Sequence, residues 1–326
     1  MASALARLSP VLHLTRVTSA FAAVGNVWFA ILWSSAVARE PASDMPPFSD
    51  RPLWLLLSGG ALLGIGLYAF AMALNDTLDH RRDRSLHPDR PLVRGAISPD
   101  AGVVIAVTAL LAGLVGATTL GMPCVLLTLL VAGSILFYTV VARFFPSFGL
   151  VLLSLIYGAH MVAPNVYLAF VWPVFLVMTH ALLVGGASHL LANKRPQLAL
   201  SARAGAAVGW GFWCAVLLAI GTHRTGSLWP DWVPLQAGLG ALTLAALFVV
   251  FAWQKIRRAG SGAKAAAKLE RYGAWWLSLY GVVWLAAVGA WDEATTMGVL
   301  ALVGFIGMTA LREVYGLIEQ PVGFRR

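Results

Sequence analysis

The chain has 326 residues, of which 59% are hydrophobic and only 11% charged, and its mean hydropathy is +0.79. A soluble domain carries about 25% charged residues, so composition excludes an ordinary water-soluble fold. The net charge of +9 would suit a nucleic-acid partner only if the cations formed a patch on a soluble face, and they do not.

In chain order, apolar stretches long enough to cross a bilayer, about 20 residues each, fall at residues 17–38, 53–74, 101–119, 123–142, 148–169, 173–192, 204–221, 235–253, 273–291 and 296–316. Gly and Ala recur within them, as helix contacts in lipid require, and the runs are too long for barrel strands. Most of the 23 Lys and Arg residues lie in the odd-numbered connecting segments. This asymmetry predicts an inner-membrane protein with both termini cytoplasmic; a nine-span arrangement would strand Arg312, Arg325 and Arg326 outside. The first stretch lacks a small-residue cleavage site and is expected to be a true span. No extramembrane segment is long enough for a separate domain, so residues 1–326 are expected to form one transmembrane unit. The basic run of residues 254–272 reads as an anchor to anionic headgroups. Cys124 and Cys214 are the only cysteines and imply neither a disulfide framework nor a thiolate metal site.

The second span runs without a break into Asn75-Asp76-Thr77-Leu78-Asp79-His80-Arg81-Arg82-Asp83. At 100° per residue Asp76, Asp79 and Asp83 share a stripe about 60° wide and roughly 10 Å long. Three carboxylates so placed repel one another unless a metal or an arginine neutralises them. Hard ions such as Mg²⁺ favour such oxygen ligands and bridge them to phosphates. Arg82 and Arg84 fall off this stripe, so they are poor partners for it. The competing reading is a solvated cap in which neighbouring arginines pair with the acids.

The loop that follows reads His87-Pro88-Asp89-Arg90-Pro91-Leu92-Val93-Arg94-Gly95-Ala96-Ile97-Ser98, and Tyr138, Thr139 and Arg143 close the fourth span. In these features the sequence resembles the UbiA superfamily of intramembrane prenyltransferases, whose first aspartate-rich motif, NDxxDxxxD, is matched by NDTLDHRRD at every fixed position and whose loop resembles PDRPLVRGAIS. The resemblance implies an all-α integral membrane bundle of nine to ten helices around a central cavity. It also implies Asp76, Asp79 and Asp83 as catalytic, Mg²⁺ held by Asn75 and those aspartates, and a prenyl diphosphate contacted by Asn75, Arg90, Tyr138 and Arg143. The isoprenoid would pass to a lipid-soluble, aromatic acceptor inside the membrane. Tyr68 and Tyr157 are candidates for shielding a prenyl cation.

Two departures stand against that pattern. There is no Asp or Glu between Asp100 and Asp231, so the second aspartate-rich motif is missing; its loop reads Ala187-Ser188-His189-Leu190-Leu191-Ala192-Asn193-Lys194-Arg195-Pro196. Lys194 and Arg195, with His189, are the candidates to meet the diphosphate there in place of a second metal, and plain anchoring at the interface is the alternative. The tenth span is the second departure. Both features are similar to a divergent UbiA-like branch of ebo-type secondary-metabolite operons, linked to precursor export, which keeps open a non-catalytic lipid-binding or export-associated role. Asn26, His160 and Asn165 are expected to face the bundle interior and bond between helices, and Arg16 is expected to anchor the interface.

Overall fold

The computed structural model describes residues 2–38 and 50–319. The helices are α1 (Ala2–Thr15), α2 (Phe21–Val37), α3 (Leu53–Leu86), α4 (Pro99–Thr118), α5 (Met122–Val140), α6 (Pro146–Val162), α7 (Trp172–Leu191), α8 (Leu200–Thr225), α9 (Leu235–Arg257), α10 (Gly262–Ala287) and α11 (Trp291–Glu319). No strand occurs among the described residues. Arg325 and Arg326, which contribute to the expected charge asymmetry, and Arg39, which counts against it, lie outside them.

Punctuation in the sequence accounts for most helix starts. Pro99, Pro123, Pro146 and Pro173 sit in the first turns of α4 to α7, where the missing amide proton is no loss and the fixed φ suits the helix. The Ser98 hydroxyl caps α4 by accepting from the Ala101 amide at 3.2 Å, and the Ser261 hydroxyl caps α10, each satisfying one orphan donor. At the C-terminal end of α8, Gly226 adopts φ 74°, a left-handed closure open to glycine at little cost.

Helices α2 to α11 correspond to the ten apolar stretches, and α3, α4, α5, α7, α8, α9 and α11 are long and apolar enough to cross a membrane. Helices α2 and α6 are apolar but only 17 residues long. Helix α10 begins well before residue 273, taking up part of the basic run 254–272 that reads as a loop. Helix α1 has no counterpart in the sequence reading, because its Ser, Arg and Pro10 break up any apolar run. Wide apolar faces stay exposed, including Val104, Leu111 and Val115 on α4, Leu126 and Leu130 on α5, and Leu239 and Leu242 on α9. Faces of that extent on several long helices belong against lipid, and the chain is a multi-pass membrane protein.

Two large interior clusters hold the bundle, with a smaller third between α6 and α8. One centres on Trp33, 1% exposed, which stacks on Phe170 at 5.4 Å between ring centroids and tilts against Phe29 and Trp232. The other joins α1, α3, α4 and α5 through Leu14, Leu63, Leu67, Val131 and their neighbours. In that second cluster α3 and α4 touch backbone to backbone: a Cβ on Gly66 would lie 2.5 Å from the Gly113 nitrogen and 2.7 Å from the Ala109 oxygen. Without a hydrophobic drive between helices in lipid, such close small-residue contacts supply the association energy. They also fix α3, whose 34 residues carry the aspartate stripe about 15 Å beyond Gly66 at 1.5 Å per residue.

Candidate functional site

The aspartates continue α3 in helical register, and they do not form a solvated cap. Asp76 and Asp83 are each 3% exposed and the Asp79 side chain 13%. Arg82 and Arg84 point outward and are exposed, as the helical phase requires. The guanidinium groups that neutralise the stripe come from three segments outside α3, two of them distant in sequence.

Arg90 reaches back from the loop after α3. Its Nη1 donates to Asp76 Oδ1 at 2.9 Å and also to Asp83 Oδ2. The loop phrase explains the aim of this side chain. The Pro91 carbonyl accepts from the amides of Ala96 at 2.9 Å and Ile97 at 3.3 Å, and Gly95 takes φ 76°. Leu92 and Ile97 are buried in the α3–α4–α5 cluster. PDRPLVRGAIS is therefore a folded turn, pinned by two apolar side chains, that presents one arginine.

Arg143 lies in the single helical turn Ala142–Phe144 between α5 and α6. It grips Asp79 with both ends of its fork, Nη1 to Oδ2 at 2.6 Å and Nη2 to Oδ1 at 2.5 Å, and Nη1 also donates to Asn75 Oδ1 at 3.0 Å. Bidentate charge-assisted pairing of this kind is the strong form of the interaction. The Arg143 Nε is buried with no partner, so the guanidinium retains a donor for an added acceptor. Arg16 supplies the third clamp. Expected as an interfacial anchor, it instead sits at the break between α1 and α2 in a left-handed conformation, φ 47°, and its Nη2 donates to Asp76 Oδ1 at 3.1 Å.

Beneath this pole is a cavity in two lobes. The wider, about 420 Å³, is bounded by Arg16, Tyr68, Tyr157, His180 and Glu270. The narrower, about 200 Å³, runs between Asn75 and Tyr138 at one end and Asn26 and His160 at the other. Tyr68, Met72, Leu153 and Tyr157 line both. Thr139 joins Tyr138 on the narrow lobe. Asn26 donates to the Tyr157 carbonyl at 3.2 Å and Asn165 to Ser34 at 2.9 Å, the bonds between segments that the sequence suggests for intramembrane amides. His160 departs from that expectation: it is buried, and its Nε2 has no partner.

Lys194 and Arg195 do not touch the aspartates. Lys194 Nζ pairs with Glu270 Oε1 at 3.1 Å, Arg195 is exposed, and the His189 ring donates to the Pro196 carbonyl at 2.8 Å. Glu270 is the residue that sequence reasoning missed. It lies on α10, within a stretch that reads as an anchoring run, and it returns a carboxylate to the cavity wall opposite the α3 stripe.

Asn75, Asp76, Asp79 and Asp83 form an all-oxygen donor set, the chemistry that suits Mg²⁺. Among the described residues no three acidic, histidine or cysteine side chains converge closely enough to chelate an ion unaided. That arrangement fits an ion which takes one or two carboxylates and completes its shell with water and substrate phosphate, the habit of Mg²⁺.

The profile of the UbiA prenyltransferase family matches residues 27–279, and the chain belongs to that family. No curated protein matches it in sequence. Its fold is similar to a structure of digeranylgeranylglyceryl phosphate synthase, at 15% identity over 86% of this chain and 98% of that one, with a TM-score of 0.53. Two more distant similarities are to UbiA homologues. An apo structure from Aeropyrum pernix K1 has 17% identity, coverage of 89% and 98%, and TM-score 0.46. One from Archaeoglobus fulgidus bound to DMAPP and Mg²⁺ has 12% identity, coverage of 93% and 99%, and TM-score 0.47.

Proposed function

We propose that this protein transfers an isoprenoid group from a prenyl diphosphate to a lipid-soluble, aromatic acceptor within the inner membrane, with Mg²⁺, the whole chain acting as one unit with both termini cytoplasmic. The observation that carries the reading is the pairing of Asp76, Asp79 and Asp83 with Arg16, Arg90 and Arg143 at the head of an apolar cavity. A diphosphate arriving there meets arginines whose present partners are themselves metal ligands. Asp76, Asp79 and Asp83, with Asn75 Oδ1, would hold the cation, one or two carboxylates to an ion, and the guanidinium groups they release would bind phosphate oxygens.

When bound, Mg²⁺ neutralises charge on the diphosphate and lowers the cost of its departure from the allylic carbon. Arg143 and Arg90 stabilise the same developing charge as fixed donors, with the unpartnered Arg143 Nε available as a further one. The narrow lobe, walled by Leu67, Val131, Ile135 and Ile156, holds the prenyl tail and keeps water from the allylic carbon. Tyr68, Tyr138 and Tyr157 offer ring faces to positive charge there.

The test supplies labelled prenyl diphosphates of several lengths and a panel of aromatic acceptors to purified protein, with and without Mg²⁺, and measures diphosphate release. Release is expected to depend on the metal and to vanish in Asp76→Asn and Asp79→Asn. A second reading is favoured by the missing acidic motif in residues 187–196: a family-derived carrier that binds a diphosphate-bearing lipid for export without transfer. Binding without release across the whole panel would decide for the carrier.

A further inference from the structure

We infer that Glu270 is the docking point for the acceptor's polar head, and that the acceptor is a neutral molecule presenting an O–H or N–H donor. The inference rests on the prenyltransferase reading above and adds the acceptor's chemical class. Glu270 lines the wide lobe. Its Oε1 is held twice, by the Ser188 hydroxyl and by Lys194 Nζ at 3.1 Å. Both bonds fall on Oε1 and the side chain is 51% exposed, so the carboxylate is fixed through one oxygen and open through the other.

Position and charge then set what Oε2 accepts. Glu270 shares the wide lobe with Tyr68 and Tyr157, which also line the narrow one, so it borders the space next to the partition between the two lobes. It faces the space that remains once the prenyl tail fills the narrow lobe. An ionised carboxylate only accepts hydrogen bonds, so it favours a donor. A diphosphate or an acceptor carboxylate brought against Oε2 meets like charge, and Lys194, which offsets that charge, lies on Oε1. Arg16 on the same wall is taken by Asp76, and Arg271, which also lines the lobe, has an interaction of its own. The head that fits is a hydroxyl or amine on an otherwise apolar molecule.

The experiment uses full-length protein in lipid nanodiscs and has two independent arms. The first measures geranyl diphosphate binding with Mg²⁺, which tests the diphosphate pole alone. The second measures equilibrium binding of three probes: 2,3-dimethylhydroquinone, its dimethyl ether, which lacks the donors, and 4-methylbenzoate. The hydroquinone is expected to bind at least about tenfold more tightly than the ether or the benzoate, and Glu270→Gln to remove most of that preference, as loss of a hydrogen bond to a charged group implies. Retained geranyl diphosphate binding in Glu270→Gln shows that the variant is folded; Glu270→Asp is the second variant and retains part of the preference. Equal binding of hydroquinone and ether, preferred binding of benzoate, no binding of any probe, or no effect of the substitutions overturns the inference. Failure of the first arm in the wild type with the second intact overturns the diphosphate reading instead.

Discussion

Asp79→Asn is the substitution that separates the stability of the site from its function. Asp79 and Arg143 are 13% and 18% exposed and share two charge-assisted hydrogen bonds of 2.5 and 2.6 Å. Removing one partner of such a pair leaves the other charge without compensation, at about 3 kcal/mol, the low end for buried pairs because the site is not wholly dry. Arg143→Met is expected to cost about the same. If the pair acts as a unit, Asp79→Asn with Arg143→Met costs about 3 kcal/mol and not the additive sum of about 6, a coupling near the upper end for contacting residues. Unfolding of the four proteins in mixed micelles of dodecylmaltoside and SDS, followed by the fluorescence of the 13 tryptophans, measures the cycle. Geranyl diphosphate binding with Mg²⁺ is expected to be lost in all three variants, including the double variant, which is no less stable than either single one. Single costs below about 1 kcal/mol that add would class the pair with exposed salt bridges, and the view of a closed aspartate face would be wrong.

Two further outcomes follow from the same geometry. Arg90→Ala releases Asp83 and leaves Asp76 to Arg16 alone, so Mn²⁺ binding without prenyl diphosphate, read by electron paramagnetic resonance, should tighten at least about tenfold through the removal of a competing cation; unchanged or weaker metal binding contradicts the clamp. Gly66→Ala places a methyl carbon 2.5 Å from the Gly113 nitrogen, and overpacking there should lower stability by about 1–3 kcal/mol, whereas a neutral result would mean that α3 and α4 can separate without loss.

The parts of the site that follow from local periodicity were legible in the chain. A stripe of Asp76, Asp79 and Asp83 needs only the helical repeat, and the outward direction of Arg82 and Arg84 follows from the same repeat. The partners of that stripe were legible only where a family motif marked them. Arg90 and Arg143 lie beside recognisable phrases, but Arg16 precedes the first span like any basic anchor, and only the break between α1 and α2 turns it toward Asp76. Helix α1 escaped notice because it is neither long nor apolar enough for a span. Glu270 was hidden by its setting among lysines and arginines, where charge composition speaks of the headgroup layer and says nothing of which way one helical face turns. His160 shows the limit from the other side. Its cost in lipid correctly predicted burial, yet the bonding partner that rule implies is missing at Nε2.

The closed set of guanidinium–carboxylate pairs has a consequence for what the resting protein ignores. If the aspartates hold magnesium as proposed, the free ion meets carboxylates already paired with guanidinium groups, and inorganic phosphate alone meets arginines whose Nη atoms already hold anions. On the proposed reading, only a molecule that delivers metal and phosphate in one event satisfies both sides at once. Nucleotides in complex with magnesium meet that condition but lack a hydrocarbon chain for the slot between Asn75 and His160, so rejection of the cell's most abundant phosphates is divided between a charge exchange and an apolar fit.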